Sequence, residues 1–125
     1  MRMWMIDPRL MCRKHLNGEH YEIHMLAGHL RAGHSIKGYL EKGLLEPQNM
    51  KQRHDELAAE MVRRGGNHKS PLVVDFDCPK GNVYQWVSMR DLRWRCPRCV
   101  CRWFEGDDKS LFNMEYEDPC ALGHE

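Results

Sequence analysis

The sequence predicts an all-α protein, a compact single domain of about three helices with an irregular, cysteine-containing C-terminal extension. Apolar residues recur at roughly helical spacing from Met11 to Leu30 and again from Met50 to Val62. The length of 125 residues is enough for one core but too short for two ordinary domains. We therefore expect a helical core over residues 1–72, with residues 73–125 packed on the same domain.

The first helix is predicted to start at Asp7-Pro8, because Asp caps free amides and Pro already has a helical φ. The apolar spacing continues it to near Gly33, although Gly18 weakens the middle. Residues 35–46 show little periodicity and predict a connection between helices.

The second helix is predicted from a stripe of residues at positions 50, 54, 57, 58, 61 and 62. Gly65-Gly66 supplies its stop. Ser88 and Asp91 resemble a capping box that opens a short third helix. The segment from Cys96 to Cys101 predicts a tight turn, and an acidic tail follows.

Composition argues against membrane insertion and indicates a cytoplasmic protein. Charged residues make up 30% of the chain, the mean hydropathy is −0.72, and no apolar run approaches the ~20 residues that span a bilayer. In that reducing compartment we expect the six cysteines to be thiols or metal ligands. Residues 1–72 hold 12 Lys and Arg against 8 Asp and Glu, which makes them the better candidate for contact with a polyanion.

A polar face on the first helix is the strongest candidate site. His15, Glu19 and Glu22 are separated by four and then three positions and share one helix face. An exposed polar stripe with ordinary ion pairing is the alternative. A metal site made of His15, Glu19, His20 and His24 is a further alternative, although it matches no known ligand motif.

Three separated motifs carry a resemblance to a known family. They are Met1-Arg2, Cys12-Arg13-Lys14-His15-Leu16-x-x-Glu19-x-x-Glu22, and Arg63-Arg64-Gly65-x-Asn67-His68-Lys69-Ser70-Pro71. Over residues 1–72 the chain resembles the phage-type pyrimidine-dimer DNA glycosylases of the endonuclease V type and their bacterial relatives. Members of that family are all-helical single domains, in agreement with the helices predicted above. The resemblance implies a DNA-repair glycosylase with abasic-site lyase activity, in a bacterial or phage-infected cell.

The resemblance also implies which residues react. The family's nucleophile is the α-amine of the first residue, which near pH 7 is neutral far more often than a lysine amine. Alignment of the helix-one block without gaps places Met1 at that position, and Arg2 is too large to favour removal of the initiator methionine. Glu22 matches the family's essential acid, and His15 matches a histidine near the sugar and phosphate.

The implied partner is double-stranded DNA containing lesions, bound by a monomer with no cofactor for catalysis. Side chains that we expect to contact the substrate are Arg2, Arg13, Lys14, Glu19, Arg64 and Lys69. A solvated surface charge is the alternative for each basic residue. Tyr21 and Met25 stand where the phage enzyme carries arginines, so the lesion preference is less firmly implied than the imine chemistry.

The cysteine-rich end predicts a structural zinc site, with unligated thiols as the alternative. Cys96-x-x-Cys99 is half of a zinc-binding motif, and we expect Cys78 and Cys120 to complete it, with Cys101 and His124 as other candidates. Four aromatic residues, Trp86, Trp94, Trp103 and Phe104, alternate with arginines there. They either stack on bases or pack on the helices.

Two other functions are compatible with these motifs. One is a non-catalytic zinc-knuckle protein that binds nucleic acid. The other is a metal-dependent hydrolase that uses the helix-one histidines.

Overall fold

The computed structural model describes residues 1–105, and every regular element in this range is helical, which confirms the predicted all-α class. The elements are α1 (Arg13–Arg31), α2 (Lys37–Glu41), α3 (Met50–Arg63), α4 (Gln85–Arg95) and α5 (Pro97–Glu105), with 3₁₀ turns at Pro8–Leu10 and Pro47–Asn49. No helix among the residues described is long and apolar enough to cross a membrane.

The first helix starts later than the sequence predicts. The Asp7 carboxylate does accept a hydrogen bond of 2.9 Å from the Arg9 amide, but it caps only the 3₁₀ turn. The chain is then extended at Met11 and Cys12, and α1 begins at Arg13. This break lets the side chains of both Met11 and Cys12 enter the core, where they are fully buried.

The predicted second helix is confirmed as α3. The first four stripe positions face inward, with Met50, His54 and Leu57 buried, whereas Val62 at the end of the stripe is exposed. Gly65 after the helix has a φ of +94°. Glycine tolerates this left-handed conformation, which other residues adopt only with strain.

Three local predictions are wrong in their details. The expected connection over residues 35–46 contains the short helix α2. Helix α4 begins at Gln85, so Ser88 is a buried helical residue and does not cap the helix. The expected turn at Cys96 to Cys101 is largely the helix α5, which starts at Pro97 because proline suits a first helical position.

Buried arginines fix the N-terminal segment on the helices. Arg53 of α3 donates to the Ile6 carbonyl at 2.6 Å, and Arg64 donates to the Met11 carbonyl at 2.7 Å. On the other side, Trp103 of α5 donates to the Leu10 carbonyl at 2.8 Å. These bonds satisfy carbonyls that no helix pairs, and they hold the segment before α1 in one place.

Candidate active site and two donor clusters

A cavity of about 340 Å³ lies between the N-terminal segment and the first half of α1. The three residues expected to be catalytic, Met1, His15 and Glu22, all line it. The remaining lining residues are Arg2, Trp4, Lys14, Gly18, Glu19 and Arg95. Its walls therefore combine both signs of charge with an aromatic ring.

Glu22 is hydrogen-bonded to the backbone at Arg2. The backbone amide of Arg2 donates a hydrogen bond of 3.0 Å to Glu22 Oε1. Both residues are half-buried. The Glu22 carboxylate is thus hydrogen-bonded to the residue that follows Met1, and Met1 and Glu22 line the same cavity.

The Arg2 side chain is held by residues that the sequence did not single out for this site. Its guanidinium donates to Asp91 Oδ2 at 2.7 Å and lies 3.9 Å from the centre of the Trp4 ring. Burial acts to raise the pKa of Asp91, but the hydrogen bond and the charge of Arg2 outweigh it and lower that pKa. Asp91 and Arg95 come from α4, and no sequence spacing links that helix to the N-terminus.

Glu19 forms a buried ion pair. Its oxygens accept bonds of 2.6 and 2.9 Å from Arg53, and both side chains are nearly inaccessible to solvent. Glu19 therefore lines the cavity, and Arg53 neutralises its negative charge. Sequence reasoning missed Arg53, whose only signal was a basic residue next to the apolar stripe of α3.

The basic residues expected to contact DNA are placed differently. Lys14 is exposed beside the cavity, and Lys69 is exposed on the loop after α3. Arg13 is half-buried and borders a second cavity of about 330 Å³ with Gly65 and Asn67. Arg64 is buried.

Arg64 is part of an internal network. It donates to Glu60 at 2.7 Å and to the carbonyls of Pro8 and Met11. Burial acts to raise the pKa of Glu60, but hydrogen bonds from Arg63 and Arg64 outweigh burial and lower that pKa. The guanidinium of Arg64 is thus directed inward.

Behind the cavity, the structure brings together a sulfur-rich cluster of Cys12, His15, Cys96 and Cys99, all buried. His15 Nδ1 lies 3.3 Å from Cys12 Sγ and 3.4 Å from Cys99 Sγ. Cys12 Sγ lies 3.7 Å from Cys96 Sγ. The backbone amides of Cys12 and Cys99 donate to the sulfurs of Cys99 and Cys96, each at 3.3 Å.

This sulfur cluster could hold a structural metal, since three sulfurs and one imidazole are a common zinc ligand set. A hydrogen bond from Cys12 is the main cause that lowers the pKa of the Cys99 thiol to about 5; burial opposes it, and His15 contributes further lowering. Cys96 takes part in a disulfide bond in this structure, so binding by all four residues requires its reduction.

Only part of the ligand set expected from the sequence is in this cluster. Cys96 and Cys99 are present, whereas Cys78 lies elsewhere, half-buried, with a pKa raised by burial and then by Asp77. Cys120 and His124 lie outside the described residues. In the cluster, Cys12 and His15 stand in place of the expected Cys78 and Cys120. The only sequence signal for Cys12 and His15 as a pair was their i, i+3 spacing.

A second cluster, the histidine cluster, consists of His20 from α1, His54 from α3 and His68 from the loop that follows α3. His20 Nε2 lies 3.1 Å from His54 Nε2 and 2.9 Å from His68 Nε2. Burial and then the neighbouring imidazoles lower the pKa of His20 to about 4. The helix-one metal set considered from the sequence is therefore divided: His15 is in the sulfur cluster, Glu19 pairs with Arg53, and His20 is in the histidine cluster. His24 packs beside the histidine cluster.

The aromatic residues of the second half fit neither alternative completely. Trp103 packs on the core and donates to the Leu10 carbonyl. Trp86, Trp94 and Phe104 are largely exposed. Stacking on bases remains open for these three only.

One comparison with known proteins gives a match. The family model described as pyrimidine dimer DNA glycosylase matches residues 1–73. No curated protein and no solved structure matches the chain significantly. The model covers more than half of the 125 residues and includes all three motifs that carried the resemblance. The chain therefore belongs to the pyrimidine dimer DNA glycosylase family.

Proposed function

We propose that this protein removes damaged pyrimidines from double-stranded DNA and then cleaves the strand at the resulting abasic site, through an imine formed on the amine of Met1. One observation carries the proposal: Met1 and Glu22 line one cavity, and Glu22 is bonded to the amide that follows the amine. The family supports the proposed substrate class, and this geometry supports the proposed lyase step.

The reaction begins at the sugar carbon that bears the damaged base. The lone pair of the Met1 amine attacks this carbon, and the bond to the base breaks with its electrons leaving on the base. Loss of a proton from nitrogen and opening of the sugar ring give a protonated imine between Met1 and the deoxyribose. Removal of a proton from the adjacent sugar carbon then expels the 3′ phosphate by β-elimination.

Glu22 is the proposed acid and base in these steps. Its carboxylate accepts a hydrogen bond from the amide that follows the Met1 amine, and this contact supports a role in stabilising the cationic imine. Acid–base catalysis by a positioned carboxylate contributes roughly 10² to 10⁴ in rate. His15 lines the same cavity, but its Nδ1 faces the sulfur cluster. Only the ring edge that carries Nε2 is therefore proposed to face the sugar.

Basic residues around the cavity are proposed to hold the DNA backbone. Lys14 and Arg95 line the cavity itself, Arg13 borders the second cavity, and Lys69 is exposed on the loop after α3. Binding of a bent duplex with a displaced nucleotide depends mainly on such phosphate contacts. No cofactor is proposed for the chemistry.

Borohydride trapping tests this function. Reduction of the imine on duplex DNA with a single abasic site should link the DNA covalently to Met1, as located by peptide mass spectrometry. A matched sample that carries an extra residue before Met1 should give no adduct. Binding without an adduct or cleavage would instead identify a non-catalytic nucleic-acid-binding protein. If cleavage occurs without an adduct, and chelator abolishes this cleavage, the protein is a metal-dependent hydrolase.

A further inference from the structure

The histidine cluster has a geometry that protons alone do not satisfy. His54 Nε2 lies 2.9 Å from the Ser70 carbonyl oxygen and 3.1 Å from His20 Nε2, and His20 Nε2 lies 2.9 Å from His68 Nε2. A ring nitrogen donates when it carries a proton and accepts when it does not, but it never does both. No placement of protons therefore gives each of these three contacts its own linear hydrogen bond.

The other nitrogen of His54 indicates which atom is available. His54 Nδ1 lies 2.9 Å from Asp55 Oδ1. Because an ionised carboxylate only accepts, this contact places a proton on Nδ1. In the neutral ring Nε2 then keeps its lone pair, which faces His20 Nε2 at 3.1 Å and the Ser70 oxygen, itself an acceptor, at 2.9 Å. A cation bound to Nε2 would remove the repulsion between these lone pairs.

This arrangement is the one that metal-binding histidines use. Such a histidine usually donates its second ring N–H to a carboxylate, which fixes the ring and its tautomer. Three imidazole nitrogens suit zinc, copper, nickel or iron, and a site with three protein ligands keeps a position open for water. A fourth ring, His24, packs 4.9 Å from both His20 and His54, and its buried Nε2 has no hydrogen-bond partner among the described residues.

We propose that His20, His54 and His68 form a divalent transition-metal site, with Asp55 as the carboxylate that orients His54. The site is separate from the sulfur cluster and from the cavity, since none of its three histidines lines that cavity. The metal would link α1, α3 and the loop after α3, and so fix the segment that carries Lys69.

Equilibrium dialysis of the full chain against Zn²⁺, followed by metal analysis, tests the site. His68→Ala should bind one zinc fewer than the wild type, and the control His34→Ala, which changes an exposed histidine, should bind as many as the wild type. Cys99→Ser should retain the zinc that His68→Ala loses. The same zinc count in His68→Ala and in the wild type overturns the proposal.

A surface variant keeps the test decisive should His68→Ala fail to fold. Asp55 is exposed, so Asp55→Asn leaves the core intact while it weakens the acceptor for His54 Nδ1. Zinc affinity at the histidine cluster should fall about 10-fold to 100-fold. An unchanged affinity in a folded Asp55→Asn protein then overturns the site.

Discussion

The region that matches the family model, residues 1–73, and the region that follows it, residues 74–105, contribute differently to the molecule. The first region contains Met1 and Glu22, the buried Glu19–Arg53 pair and the whole histidine cluster. The second region supplies partners for residues of the first. Asp91 pairs with Arg2, and Cys96 and Cys99 join Cys12 and His15 in the sulfur cluster. The later helices therefore supply partners to the first region, whereas both of the proposed reactive groups belong to the first region.

The largest expected effect comes from Glu22, the proposed acid and base of the first region. Glu22→Gln keeps the size of the side chain but removes the base, so strand cleavage should fall at least about 100-fold. Binding to abasic duplex should remain close to that of the wild type. Single-turnover cleavage and gel-shift assays measure the two quantities.

Glu41→Gln is the matched control, because Glu41 is exposed on α2 and outside the cavity. It should cleave like the wild type. Equal activity of the Glu22 and Glu41 variants would remove Glu22 from the mechanism.

The next largest effect tests how much the buried Glu19–Arg53 pair of the first region stabilises the fold. Arg53→Met leaves Glu19 buried without its partner, and the free energy of unfolding should fall by about 3 to 5 kcal/mol. Lys51→Met, on the same helix, breaks only the exposed pair with Asp55 and should cost under about 1 kcal/mol. Urea denaturation followed by circular dichroism measures both, and similar losses would contradict the structural role of the buried pair.

The sulfur cluster tests how far the second region stabilises the first. In reduced, zinc-loaded protein, Cys99→Ser should lower the melting temperature by about 10 °C, because bound metal stabilises only the folded state. Cys101→Ser, on the same helix but outside the cluster, should melt like the wild type. If chelator lowers neither the melting temperature of the wild type nor the difference between the variants, the cluster holds no metal.

The smallest effect concerns the contact between Asp91 and Arg2. Asp91→Asn weakens a charged hydrogen bond and should cost about 1 kcal/mol of unfolding free energy. Because the pKa of Asp91 is lowered on folding, the wild type should lose this advantage as the pH falls below the ordinary carboxyl value of 3.8. Asp75→Asn, at an exposed pair, should change little at any pH. A pH-independent difference between wild type and Asp91→Asn would contradict the ionic contact.

The helices that were predicted well have strong local signals. The stripe of α3 is regular, and its glycine stop needs no tertiary partner, so sequence periodicity was sufficient. The start of α1 was missed because Met11 and Cys12 are extended in order to reach the core. Pro97 marks a helix start as well as a turn, and the sequence alone offered no reason to choose between them.

By itself, the sequence determined the helical class and the face of the first helix that carries His15, Glu19 and Glu22, because both depend on the spacing of neighbouring residues. It also determined the family, through three separated motifs. Only the tertiary structure decided which polar residues meet: Glu19 with Arg53, Arg2 with Asp91, and His20 with His54 and His68. These contacts join residues 34 to 89 positions apart, and they depend on how the helices pack, which local periodicity does not specify.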